Sequence, residues 1–171
     1  TGVRYADDEV GRLLDHLDRI GVLDDTAVML SSDHGETLGE LNVYGDHQTA
    51  DQLTTRVPLL LSWPGLGEGS RPRVDSALHY QFDVMATIVE LAGGRPSGRW
   101  DAQSFAERYR DGDERGREQL VVSQGAWTAQ RSVRWGDHLL IHTRHDAFHL
   151  YPDVMLFDVV ADPHEQHDLA P

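Results

Sequence analysis

Between Tyr5 and Ile20 the apolar residues Val10, Leu13, Leu14, Leu17 and Ile20 recur every three or four positions. That spacing predicts an amphipathic helix, opening on the acidic run Asp7-Asp8-Glu9 and capped at its C-terminus by Gly21. The run Thr26 to Ser32 is continuously apolar at its centre (Ala27, Val28, Met29, Leu30), the pattern of a strand covered on both faces. A helix feeding such a strand predicts parallel α/β architecture. Residues Asp33 to Thr55 are polar and read as a loop with Gly35, Gly39 and Gly45, and Arg56 to Trp63 reads as a second buried strand stopped by Pro64-Gly65.

Gly65 to Pro72 is a Gly/Pro/Ser loop, after which Val74 to Leu78 predicts a short strand. Phe82 to Leu91 predicts a helix burying Phe82, Met85, Ile88, Val89 and Leu91 and closed by Gly93-Gly94. Residues 95–118 are polar and arginine-rich, the candidate boundary or surface excursion. The rhythm then changes to short strand-like runs, Leu120 to Ser123, Arg131 to Trp135, His138 to Thr143 and Val154 to Phe157, with Gly136-Asp137 as a tight hairpin turn. The pattern divides the chain into an α/β part, 1–110, and a small antiparallel sheet with a polar tail, 111–171.

Composition narrows the functions open to this fold. The 171 residues carry 29 acidic and 15 basic side chains, every basic one arginine, for a formal net charge of −14. A surface of that sign repels nucleic-acid phosphates. Two origins fit it, an arginine-biased genome or adaptation to high salt. No apolar run approaches the length of a membrane span. The absence of cysteine excludes a disulfide framework, a thiolate metal site and a thiol nucleophile, and leaves the compartment unread. The sequence opens on Thr1 rather than Met, which reads as a piece of something longer.

The sharpest candidate for chemistry is Ser31-Ser32-Asp33-His34-Gly35-Glu36, at the carboxyl end of the first predicted strand, where α/β sheets gather their ligands. Asp33 and His34 offer an oxygen and a nitrogen to one divalent ion, beside a glycine that admits close backbone approach. The competing reading is a turn in which Asp33 caps amides and His34 is merely exposed. His47, in Tyr44-Gly45-Asp46-His47-Gln48-Thr49, is the second candidate, an imidazole able to meet an anionic substrate, or simply one surface histidine among ten. Arg56 reads as a structural ion-pair partner. His138 and His142 share a strand face without a third ligand, and the four tryptophans read as packing.

Four blocks, in order over nearly the whole chain, resemble the C-terminal portion of a sulfatase of the alkaline phosphatase superfamily. They are Asp25 to Glu36, Thr55 to Leu61 with Trp63-Pro64-Gly65, Asp83 to Gly93, and Leu156 to Val159 with Asp162 to Ala170. In the third, Ala86 stands where the family's helix has proline. The resemblance implies part of an alkaline-phosphatase-like sheet with flanking helices and a metal-dependent hydrolase of sulfate esters. It implies Asp33 and His34 as ligands of a divalent ion, usually calcium, and His47 as a contact to the sulfate. It also implies a formylglycine nucleophile, made from cysteine or serine in a C/S-x-P-S-R motif that this chain lacks. The expectation is therefore that the nucleophile and the early acidic ligands lie in an N-terminal part of the same protein, and that this chain alone is inactive. Alternatives are a phosphodiesterase, phosphonate hydrolase or phosphoethanolamine transferase of the same superfamily, or a non-catalytic domain retaining the fold. Strands lacking neighbours would leave the chain open to oligomerisation.

Overall fold

The computed structural model describes residues 2–66, 74–112 and 115–171. They fall into two compact units, one within 1–31 and 58–72 and the other within 32–57 and 73–171. Each is described by itself.

The first unit holds helix α1 (Gly2–Arg19) and strands β1 (Val28–Ser31) and β4 (Leu59–Ser62). The periodic stripe forms the predicted helix, but it begins at Gly2, so Asp7-Asp8-Glu9 lie beyond its first turn and cap nothing. Gly21, at φ 72°, ends it as expected: its amide donates to Asp18 O and the next to Leu17 O, a left-handed closure that glycine adopts without strain. Strands β1 and β4 pair antiparallel, Val28 opposite Ser62 and Ser31 opposite Leu59, where the helix-to-strand pattern predicted a parallel sheet. They are also not covered on both faces by described residues, since Met29 is 42% and Leu60 59% exposed. The connection from Ser31 to Leu59 is long enough for either direction, so the apolar pattern could not decide the pairing.

The second unit contains β2 (Thr37–Leu38), β3 (Tyr44–Asp46), helices α2 (Gln52–Thr55), α3 (Gln81–Leu91) and α4 (Ala106–Asp111), and the sheet β5 (Gln119–Gln124), β6 (Ala129–Trp135), β7 (His138–His145) and β8 (Val154–Asp158). That sheet is antiparallel in the order β5-β6-β7-β8, as the alternating runs predicted, with the Gly136-Asp137 turn joining Trp135 to its partner His138. Its inner face supplies the core, in which Leu139, Ile141, Met155, Phe157 and Val159 pack around Ala50. Burial alternates along β6 and β7, and the buried face also carries the polar residues Gln130, Ser132 and Thr143.

Several local expectations change. Residues 33–55, read as loop, contain the β2–β3 hairpin and the one-turn helix α2. The buried side of α3 is Asp83, Val84, Ala86, Thr87 and Leu91, while Phe82 and Met85 are exposed. Polar groups set that rotation. The Asp83 carboxylate accepts from the amides of Tyr80 (2.8 Å) and Gln103 (2.7 Å) and receives both arms of Arg117, at 2.8 and 2.7 Å. Thr87 Oγ1 accepts from Phe105 N at 3.0 Å. The excursion 95–118 is consequently tied into the fold by Phe105 and Ala106, both buried. Within the predicted strand Val74 to Leu78 only a bridge from Leu78 to Arg117 forms. The loop Gly65 to Pro72 lies mostly outside the described residues. Trp100, Trp127 and Trp135 are exposed rather than core. Among the described residues Arg56 has no ion pair; it caps α2 by donating its amide to Gln52 O.

Candidate functional site

Two short devices bring the candidate residues together. The first is the 32–36 turn. Ser32 Oγ donates to His34 O at 2.6 Å, Gln81 at the start of α3 donates its side-chain amide to Ser32 O, and Gly35 N donates to Thr54 O at 2.8 Å. A Cβ on Gly35 would lie 1.8 Å from Leu53 O, so only glycine lets the turn seat against the α2 backbone. The second device is the β2–β3 hairpin, whose register sets Thr37 opposite Asp46 and therefore brings Glu36 alongside His47. Thr37, fully buried, locks that register by donating Oγ1 to Asp46 O at 2.6 Å.

The result is a cluster assembled from residues well apart in sequence. The His34 and His47 rings stack with centroids 3.7 Å apart. His47 Nδ1 lies 3.4 Å from Glu36 Oε2, and His34 Nε2 lies 3.7 Å from Asp33 Oδ2. One ligand atom from each of His34, Glu36 and His47 falls within 4.8 Å of the others, a spacing that suits a shared divalent ion. Asp33 stands at the rim, its side chain 87% exposed. The amide of His34 donates to its carboxylate and holds it below the usual carboxylate range, so it is presented ionised. Carboxylate oxygens suit a hard cation such as calcium, and the imidazoles extend the set to softer divalent ions.

The C-terminal region, through strands β5 and β6, the turn between them and the tail after β8, holds the segment carrying His47. Gln124 donates to His47 O (2.7 Å), Thr128 to Gln48 O (2.5 Å), Gln130 Oε1 accepts from Ala50 N (2.9 Å) and Glu165 Oε1 accepts from Gln52 N (2.7 Å). Gln48 in turn donates to Asp46 Oδ2 at 2.5 Å, and Asp46 Oδ1 accepts from the His47 amide at 2.8 Å. That amide, with Gln48, keeps the Asp46 carboxyl below its ordinary range. These donors and acceptors come from a part of the chain that sequence reading assigned to a separate sheet.

Of the predicted residues, His34 and His47 are therefore brought into contact and Asp33 lies beside His34. Glu36 was missed. The β2–β3 hairpin that brings it to His47 is two and three residues long, too short to leave a readable alternation in the sequence. His142 sits on the outer sheet face, away from a third ligand among the described residues.

The Sulfatase family's sequence pattern matches residues 1–94. A choline-sulfatase of Rhizobium meliloti is 32% identical over 99% of this chain and 32% of its own length. An N-acetylglucosamine-6-O-sulfatase of Bacteroides thetaiotaomicron is 29% identical over 98% of this chain and 30% of its own. The solved structure of a 2-O GAG sulfatase superposes with a TM-score of 0.80 at 22% identity, covering 96% of this chain and 36% of that one, which bears out the fold expected from the resemblance. The chain thus spans about a third of the length of the curated relatives it matches. By the sequence pattern over residues 1–94, this chain belongs to the sulfatase family.

Proposed function

We propose that this chain is the C-terminal portion of a sulfuric ester hydrolase and supplies half of its active site. The observation that carries the reading is the stacking of His34 on His47, which unites the two residues proposed for opposite tasks. Asp33 and His34 hold a divalent ion, most simply calcium, that would polarise a sulfate oxygen. His47 faces the sulfate, and Glu36, 3.4 Å from its Nδ1, fixes the ring so that Nε2 points to the substrate. A positive or hydrogen-bonding imidazole there stabilises charge that grows on the sulfate as the ester bond breaks. The nucleophile, a formylglycine hydrate, comes from an N-terminal part of the same protein, as do the remaining acidic ligands. In this reading residues 1–110 belong to the catalytic core and 111–171 brace it through the contacts to 47–52.

Hydrolysis of 4-nitrophenyl sulfate tests this. The 171-residue chain alone should show no turnover above background, and the same chain joined to its N-terminal part should hydrolyse the ester. Activity in the isolated chain, or a longer protein that cleaves only phosphate esters, contradicts the reading.

A further inference from the structure

The loop between β7 and β8 reaches the segment that carries His47. His149 Nε2 lies 3.3 Å from Gln48 Oε1, and Gln48 Nε2 donates to Asp46 Oδ2 at 2.5 Å. An ionised carboxylate only accepts, so the amide nitrogen of Gln48 faces Asp46 and its oxygen faces His149. His149 is therefore the donor of its pair, through a protonated Nε2. The other oxygen of Asp46 accepts from the His47 amide at 2.8 Å and lies 3.7 Å from Nδ1 of the His47 ring. A continuous chain of hydrogen bonds thus runs from His149 through Gln48 and Asp46 to His47.

The loop is shaped to hold the His149 ring in place. That ring packs on two aromatic neighbours, Phe148 at 4.6 Å and Tyr151 at 5.0 Å between centroids. Tyr151 is anchored in turn, its hydroxyl donating at 2.6 Å to the carbonyl of Leu41, between β2 and β3. The His149 amide donates to Asp146 O at 3.0 Å and closes a tight turn. Ala147 at φ 57° and Leu150 at φ 59° flank Phe148-His149 in the left-handed region, where a residue other than glycine is strained. Phe148 is 70% and Leu150 87% exposed, so burial of these apolar side chains does not offset that strain. What the strained turn does place is the pair His149 and Tyr151, bonded to Gln48 and Leu41.

We propose that His149 is a positioning residue for His47, holding Gln48 and Asp46 in the arrangement that fixes the imidazole against the sulfate. The His47 side chain is 45% exposed, and the carboxylates of Glu36 and Asp46 stand beside its Nδ1. With Gln48 released, Asp46 turns away from the ring, and the half-exposed imidazole samples angles at which Nε2 misses the ester. The inference rests on the sulfate-contact reading of His47 and adds to it a residue from a distant loop.

The test uses the longer protein that carries this chain, with 4-nitrophenyl sulfate as substrate and isotope-labelled histidine side chains for NMR. His149→Phe keeps a ring against Phe148 and Tyr151 and removes the donor. It should lower kcat about tenfold with KM and melting temperature unchanged. It should also shift the His47 ring signal, which is identified by its loss in His47→Ala. His149→Gln returns an N–H near the position of Nε2 and should recover most of the lost kcat. In a Gln48→Leu background, where the chain of bonds is already broken, His149→Phe should have no further effect. Full kcat with an unshifted His47 signal in His149→Phe overturns the proposal, as does an undiminished loss from His149→Phe in the Gln48→Leu background. A shifted signal, with turnover untouched by both His149→Phe and His47→Ala, upholds the positioning of His47 and brings down the sulfate-contact reading instead.

Discussion

Glu165 shows how one residue links the tail to the site. It is 2% exposed, its Oε1 accepts from Gln52 N, and its Oε2 is buried with no hydrogen-bond partner among the described residues. Burial pushes its carboxyl up to about 8, and the nearby carboxylates of Asp51, Asp162 and Glu40 add to the effect. An acid whose folded-state pKa exceeds its ordinary value of 4.5 binds more protons in the folded than in the unfolded chain across that interval. Stability then falls as pH rises from 4.5 towards 8, by at most about 1.4 kcal/mol per pH unit from this group. Glu165→Gln keeps the acceptor for Gln52 and removes the titration. Thermal melts should therefore show the variant more stable than the parent at pH 8 and close to it at pH 5, and an unchanged difference between the two pH values would contradict the account.

Among the elements, α3 shows most plainly what hydrophobic pattern leaves out. Its limits were legible, but its buried side was not, because Asp83 and Thr87 win the interior through bonds to Arg117, Gln103 and Phe105 that lie far along the chain. Burial by itself would raise the Asp83 carboxyl, yet Arg117 and the amides of Gln103 and Tyr80 hold it below the usual range. Arg117 also lies over the Tyr80 ring, 4.7 Å from its centroid. Removing the arginine strands a buried carboxylate, so Arg117→Gln should cost about 3 kcal/mol, measured as a lowered urea midpoint with an unchanged slope. Loss of less than about 1 kcal/mol would mean that the pair behaves as a solvated one. The same lesson covers the candidate site. Asp33, His34 and His47 were legible because their local residue patterns are distinctive. Glu36 was hidden because the β2–β3 hairpin is only two and three residues long and too short to show periodicity. The antiparallel β1–β4 pairing was equally hidden, since a run of apolar residues carries no record of strand direction.

At the scale of the whole molecule, the C-terminal sheet and the segment 32–57 belong to one unit, and side chains of β5, β6, the turn between them and the tail hold residues 47–52 through four hydrogen bonds. The sequence pattern separates these regions, and tertiary bonds that leave no periodic trace join them. Their joining explains how a small antiparallel sheet steadies the His34–Glu36–His47 cluster without placing a residue in it. No helix among the described residues is long and apolar enough to cross a membrane. The most direct test of the central claim is the kcat/KM for sulfate-ester hydrolysis by the longer protein carrying this chain, compared between the parent and His47→Ala. The account predicts a fall of about 100-fold to 1000-fold, as for loss of a group that stabilises transition-state charge, with the melting temperature unchanged. A fall of less than about threefold would show that His47 does not touch the reacting sulfate, and would contradict the site as drawn here.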